Sequence, residues 1–166
     1  DTHRPIIFFL KQVELDCRPR PFQSLHVICG GGEGEKLLNY LSRRGYEVSV
    51  GVLNKGDTDW KTAKLMGFTV IEELPFSPIS DEKIKQNNEY IRKAEAVLLA
   101  NIPFGYGNLK NLSCLKELAG QKKMFIIEEK SIEDRDYTGG RASEIYDELK
   151  NSAVVFHSLD ELKSLF

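Results

Sequence analysis

The chain has 166 residues, 41% of them hydrophobic and 29% charged, and its 23 basic and 25 acidic side chains leave a net charge of -2. That length suits one domain with a full core, and the near-neutral balance gives no reason to expect nucleic acid or an anionic membrane as the main partner. Cys17, Cys29 and Cys114 are odd in number and widely spaced, which points to a reducing cytoplasmic setting and away from a zinc site. No apolar run reaches the roughly 20 residues that a membrane span needs.

Residues 1–24 read as a linker or an added edge strand. Ile6–Val13 has strand character, whereas Arg18-Pro19-Arg20-Pro21 is an extended connector because each proline restrains its neighbour. The chain opens at Asp1 without an initiator methionine, which reads as a piece of a longer polypeptide.

From Leu25 onward strands and helices alternate, and residues 25–166 read as one domain. Leu25–Cys29 is a first strand and Glu35–Arg44 a first helix, closed by Gly45. Glu47–Leu53 is a second strand, Asp57–Met66 a helix stopped by Gly67, and Phe68–Glu72 a third strand. A proline-rich connection leads to a helix over Ser80–Lys93. Strands at Ala96–Ala100, Lys123–Ile127 and Ala153–Phe156 follow, with helices over Leu109–Leu118, Arg141–Leu149 and Leu159–Leu165. Ser158 is placed to cap the last helix. Near-continuous apolar strands separated by helices predict an α/β fold: a Rossmann-like, doubly wound parallel sheet of six strands in the order 3-2-1-4-5-6, helices on both faces.

The first strand breaks into Gly30-Gly31-Gly32-Glu33-Gly34 before a helix. Glycines there let backbone amides approach a ligand, and the helix start adds partial positive charge. Gly30 and Gly32 fit the first two places of G-x-G-x-x-G, but Glu35 stands where the third glycine belongs, which weakens the case for a nicotinamide or flavin.

Ligands of such sheets bind beyond the carboxyl ends of the strands, where strand order reverses. The loops predicted at that rim are rich in glycine, asparagine and aspartate. They contribute Gly30, Gly31, Gly32 and Gly34; Asn54, Asp57, Thr58 and Asp59; Asn101 and Asn108; and Asp136, Thr138, Gly139 and Gly140 as candidate ligand-binding residues. Each has a plainer alternative. Asp57 suits a helix N-cap and Asp59 a first-turn dipole partner, the asparagines suit turns, and the glycines suit a tight strand-to-helix turn. The opposite edge shows ordinary turn chemistry.

Catalytic groupings are sparse. His3, His26 and His157 fall outside the predicted crevice, and His26 reads as a packed or edge residue. Cys29 could act as a nucleophile near a helix start but reads better as a small buried residue. Asp57, Asp59, Asp134 and Asp136 could hold Mg2+ through water, although their spacing does not demand it. No complete Walker A motif occurs, so this segment is not itself a P-loop ATPase.

Five motifs taken together resemble a known family. These are His26–Gly32, Gly51–Asp59, Pro75–Ile79, Gly107–Leu112 and Arg135–Gly140. In this order, over roughly residues 19–155, they resemble the C-terminal accessory domain of ABC-importer ATP-binding proteins of the iron-siderophore, haem and cobalamin type. The resemblance implies partners: an ABC ATPase domain in the same polypeptide and, through it, a transmembrane permease. It implies no reaction for the appended domain.

The leading expectation is an accessory or regulatory domain that binds a small anionic ligand, such as a nucleotide, at the glycine rim. One alternative is an enzyme acting on a nucleotide or sugar phosphate, with the aspartates as acid, base or Mg2+ ligands. The other is a structural module that forms a homodimer.

Overall fold

In a computed structural model, residues 18–29, 34–52, 58–72, 81–100, 117, 120–121, 123–128 and 147–166 are described. They form a six-stranded sheet in the order β3-β2-β1-β4-β5-β6, with every pairing parallel. The strands are β1 (Ser24–Cys29), β2 (Glu47–Val52), β3 (Thr69–Glu72), β4 (Ala96–Ala100), β5 (Lys123–Ile127) and β6 (Val154–Phe156). The helices are α1 (Glu35–Arg43), α2 (Thr58–Leu65), α3 (Asp81–Lys93) and α4 (Leu159–Lys163). Residues 147–151 are also helical. The predicted fold class and strand order are those of the protein.

Burial explains why the central strands are so apolar. Every residue of β4 and all but the first of β1 are buried, as expected for strands covered on both faces. The registers align Val70, Val50, Val27, Leu98, Phe125 and Val154 as one row across the six strands. Val27, Val50, Leu98 and Phe125 from that row belong to a single core cluster with Leu37, Leu38, Tyr40 and Leu41 of α1, Ala63 of α2 and Leu162 of α4. The four α1 residues recur at helical spacing, so one stripe of the helix faces the sheet and Glu35, Lys36 and Arg43 face water. Intervening strand residues such as His26, Ile28 and Leu99 point to the other face. There His26 stacks on Tyr90 of α3, with ring centroids 6.5 Å apart and 16° between planes. Its Nδ1 lies 2.7 Å from Ser49 Oγ. This is the packed role that the sequence suggested for it.

Helix ends follow local chemistry. Gly45 and Gly67 end α1 and α2 with φ of +79° and +75°, a region that costs a side-chain-bearing residue energy. The Ser158 hydroxyl accepts from the Glu161 amide at 3.2 Å and caps α4, and the Glu161 carboxylate accepts from the His157 amide at 2.7 Å.

Residues 18–24, which the sequence assigns to a linker, pack onto the domain. Ser24 opens β1, and the Phe22 side chain is buried in the core. Arg20 Nη1 donates to the carbonyls of Arg44 and Gly45 at 3.0 and 3.1 Å, a cation set against the negative end of α1. Arg18 Nη2 donates to Tyr40 Oη at 2.7 Å and to the Phe166 backbone oxygen at 3.0 Å. Buried Arg44 reaches the same oxygen through Nε at 3.3 Å. Both ends of the described chain are therefore fastened to the last turn of α1. The predicted strand at Ile6–Val13 lies outside the described residues, as do most of the predicted helix at 109–118 and residues 141–146 of the next one.

Tyr46 sits beside this junction. It is buried, and its hydroxyl has no hydrogen-bond partner among the described residues. Burial pushes its phenol above the ordinary range, with the nearby Arg44 charge pulling the other way. The unfolded chain therefore ionises first as pH rises past about 10. Stability contributed by the neutral phenol is complete below that pH and is lost as pH climbs toward the folded value. Tyr46→Phe is expected to raise stability at neutral pH by about 1 kcal/mol, because an unsatisfied buried hydroxyl is removed. It should also flatten the alkaline fall in denaturation midpoint above about pH 10.

Candidate functional site

Strand order reverses between β1 and β4, which are adjacent in the sheet but far apart in sequence. Their carboxyl ends, at Cys29 and Ala100, therefore flank the switch-point crevice, where ligands of open α/β sheets bind. The candidates Gly30, Gly31, Gly32, Asn54, Asp57, Asn101, Asn108, Asp136, Thr138, Gly139 and Gly140 lie outside the described residues. Gly34, Thr58 and Asp59 lie within them.

Gly34 is the N-cap of α1. Its φ of -99° is open to any residue, so conformational freedom does not call for glycine here. Space does. A Cβ on Gly34 would lie 2.8 Å from Cys29 Cβ, 2.9 Å from Cys29 Sγ and 3.0 Å from Asp59 Oδ2. This close approach of helix to strand is the role of the third glycine in a dinucleotide turn. The sequence reading, counted from Gly30, put Glu35 in that place. In the structure the residue packed closely against the end of the strand is Gly34. Cys29 itself is fully buried, as its small size suggested.

Asp59 carries a role beyond those read from the sequence. The second residue of α2, it stands in the first turn of its helix, where the sequence reads it as a dipole partner or ligand contact. It is 0% exposed, and its Oδ2 accepts the Gly34 amide at 3.0 Å. Gly34 makes no side-chain cap of its own, so the carboxylate from α2 serves as the acceptor at the start of α1. The Gly34 amide is thus spent within the protein. Asp59 shares its helix face with Thr62 and Ala63, also buried, at the i, i+3 and i+4 spacing of a packed stripe. That spacing was the available signal for an inward aspartate. Thr58, one residue earlier, is exposed.

Farther along the same rim, β5 runs into Glu128. Its amide donates to the Phe156 carbonyl at 2.8 Å, and its carboxylate pairs with Lys150 at 2.9 Å. Among the described residues no group of three or more His, Cys, Asp or Glu side chains is arranged to hold a metal. Of the four aspartates considered for Mg2+, Asp57, Asp134 and Asp136 lie outside the described residues, and Asp59 holds a backbone amide. No helix among the described residues is long and apolar enough to cross a membrane.

The opposite rim holds a feature that the sequence did not disclose. A shallow cavity of about 280 Å³ lies among the amino ends of β1, β2 and β3 and the last turn of α3, with Ser24, Ser49, Thr69, Tyr90 and Lys93 in its lining. Four separate elements build it, which is why no single stretch announces it.

A parallel six-stranded sheet in this order, with a glycine seam at the β1–α1 turn, defines a Rossmann-like α/β protein. Within that class, the chain belongs to the MJ0874 family, whose sequence profile matches residues 48–163, from β2 to the end of α4. It is similar to the Methanocaldococcus jannaschii protein MJ0874, at 31% identity over 81 residues that make up 49% of this chain and 87% of the relative. The relative's name assigns it no activity. The family match begins beyond the glycine turn and takes in Asp59.

Proposed function

We propose that this chain is an accessory domain that binds a small anionic ligand, a nucleotide being the best fit, beside the β1–α1 turn. The observation that carries the reading is the Gly34–Asp59 hydrogen bond. Gly34 directly follows residues 30–33, and Asp59 comes two residues after 53–57. A single 3.0 Å contact therefore brings the exits of two candidate ligand loops together beside the switch point. The amides of the glycine-rich run before Gly34, whose own amide is bonded to Asp59, would hold phosphate, and the polar groups of the β2–α2 loop would orient sugar or base.

The transporter setting rests on the five-motif resemblance. On that basis the domain belongs with an ABC ATPase domain and its permease for iron-chelate or corrinoid uptake, at the cytoplasmic face of the membrane. Ligand binding would bias transport to the extent that the ligand prefers one conformational state. The rival enzyme reading is weakened at Asp59, which is enclosed and already accepts a hydrogen bond.

A thermal-shift screen with nucleotides, corrinoids and ferric chelates tests the reading. A ligand at a hundredfold excess over Kd should add about 2.7 kcal/mol, or roughly 5–10 °C in Tm for a chain of this size. Stabilisation by a nucleotide is the expected result. No shift with any of the three classes would contradict it.

A further inference from the structure

We infer that the cavity at the amino ends of β1, β2 and β3 binds a small zwitterion of amino-acid size, its ammonium on Glu47 and its carboxylate on Lys93. This site lies on the rim opposite the glycine turn and does not rest on the nucleotide reading.

A parallel strand covered on both faces is ordinarily apolar throughout, as β4 is. At this corner of the sheet the pattern breaks. The registers set His26, Ser49 and Thr69 in one row across β1, β2 and β3, with Ser24 and Glu47 paired one row earlier on the same face. The next row on that face is Ile28, Gly51 and Ile71. Five polar side chains therefore gather in two adjoining rows, and packing alone does not call for them. All but His26 line the cavity, and His26 is 0% exposed beneath it.

These groups hold one another in place. His26 fixes Ser49 through its 2.7 Å contact and stacks on Tyr90, whose ring in turn lies 5.4 Å from Lys93 Nζ. The Ser24 hydroxyl accepts the Glu95 amide at 3.0 Å and keeps its own proton to donate. Hydroxyls fixed in this way are preorganised for a polar guest. Two opposite charges line the same cavity, and among the described residues neither Glu47 nor Lys93 takes part in an ion pair. A guest that carries both charges answers both side chains at once, whereas a simple anion or cation would meet a like charge at one end. At about 280 Å³ the cavity is at the small end of ligand sites, which suits a molecule well below nucleotide size.

The test is an NMR titration of the whole isotopically labelled chain with the common free L-amino acids, each at millimolar concentration. At least one should shift the amides of Ser24, Glu47, Ser49 and Thr69, with Gly34 and Asp59 unmoved. For that amino acid, the analogue lacking the amino group and the analogue lacking the carboxylate should each bind about tenfold more weakly, the loss that one charge-assisted hydrogen bond implies. Glu47→Gln and Lys93→Gln should each weaken the intact amino acid by a similar factor. Both side chains are exposed, so the variants should fold as the wild type does. Lys61→Gln, an exposed position on α2 that takes no part in the lining, should leave binding unchanged. The inference is overturned if no amino acid shifts these amides, if either one-charge analogue binds as well as its parent, or if Glu47→Gln or Lys93→Gln binds like wild type.

Discussion

Phe166→Ala is expected to lower stability by about 3–5 kcal/mol, the largest single effect predicted for this chain. The side chain is 1% exposed and meets Phe22, Phe125 and Phe156 edge-on, with centroids 5.1, 4.9 and 6.0 Å away. Edge-to-face pairs of this kind contribute beyond their buried area. Its ring also lies 5.9 Å from that of Tyr46, so the cluster joins residues from β5, β6 and both ends of the described chain. Truncation leaves a cavity beside rings that β5 and β6 hold in place at Phe125 and Phe156, and such a site collapses poorly. Urea unfolding should show the midpoint falling with an unchanged slope. A loss below about 1 kcal/mol would mean that the cluster repacks freely, contrary to the packing described.

Gly34→Ala is expected to combine a stability loss of about 1–3 kcal/mol with loss of ligand binding. The added methyl would press on Cys29 Cβ at 2.8 Å, part of a central strand that cannot easily yield, and on Asp59 Oδ2 at 3.0 Å. Relief requires the start of α1 to move off β1, which lengthens or breaks the bond to Asp59. The φ of -99° is compatible with alanine, so any loss comes from crowding. Gly120→Ala supplies the contrast, because no described residue lies within 4 Å of a Cβ there. Equal behaviour of the two variants in thermal denaturation would refute the close seam.

Much of the fold was legible because a parallel sheet leaves a strong imprint. Strands such as Ala96–Ala100 are covered on both faces and read as unbroken apolar runs, and Gly45 and Gly67 mark helix ends by a backbone requirement that few other residues meet. Long-range polar contacts left no such imprint. Arg18 sits in a proline-rich stretch that looks like a tether, and its partners at Tyr40 and Phe166 are 22 and 148 residues away. The inward turn of Asp59 was obscured for a related reason: an acid in a first helical turn satisfies a local rule whichever way it points. The close packing of Gly34 on Cys29 depends on how α1 approaches β1, which glycine spacing alone does not state. The candidate rim is a composition bias of loops, most of whose residues lie outside the described ones; of the candidates within them, Gly34 and Asp59 are joined by a hydrogen bond.

The central claim is that ligand meets this protein beside the glycine turn at the carboxyl ends of β1 and β4. The most direct measurement is an NMR titration of the isotopically labelled protein with ATP, following every backbone amide. Shifts should concentrate at Gly30–Gly34, Asn54–Asp59, Asn101–Asn108 and Asp136–Gly140, with the amino ends of the strands unmoved. Shifts confined to the cavity around Ser24, Ser49 and Tyr90, or none at saturating nucleotide, would contradict it.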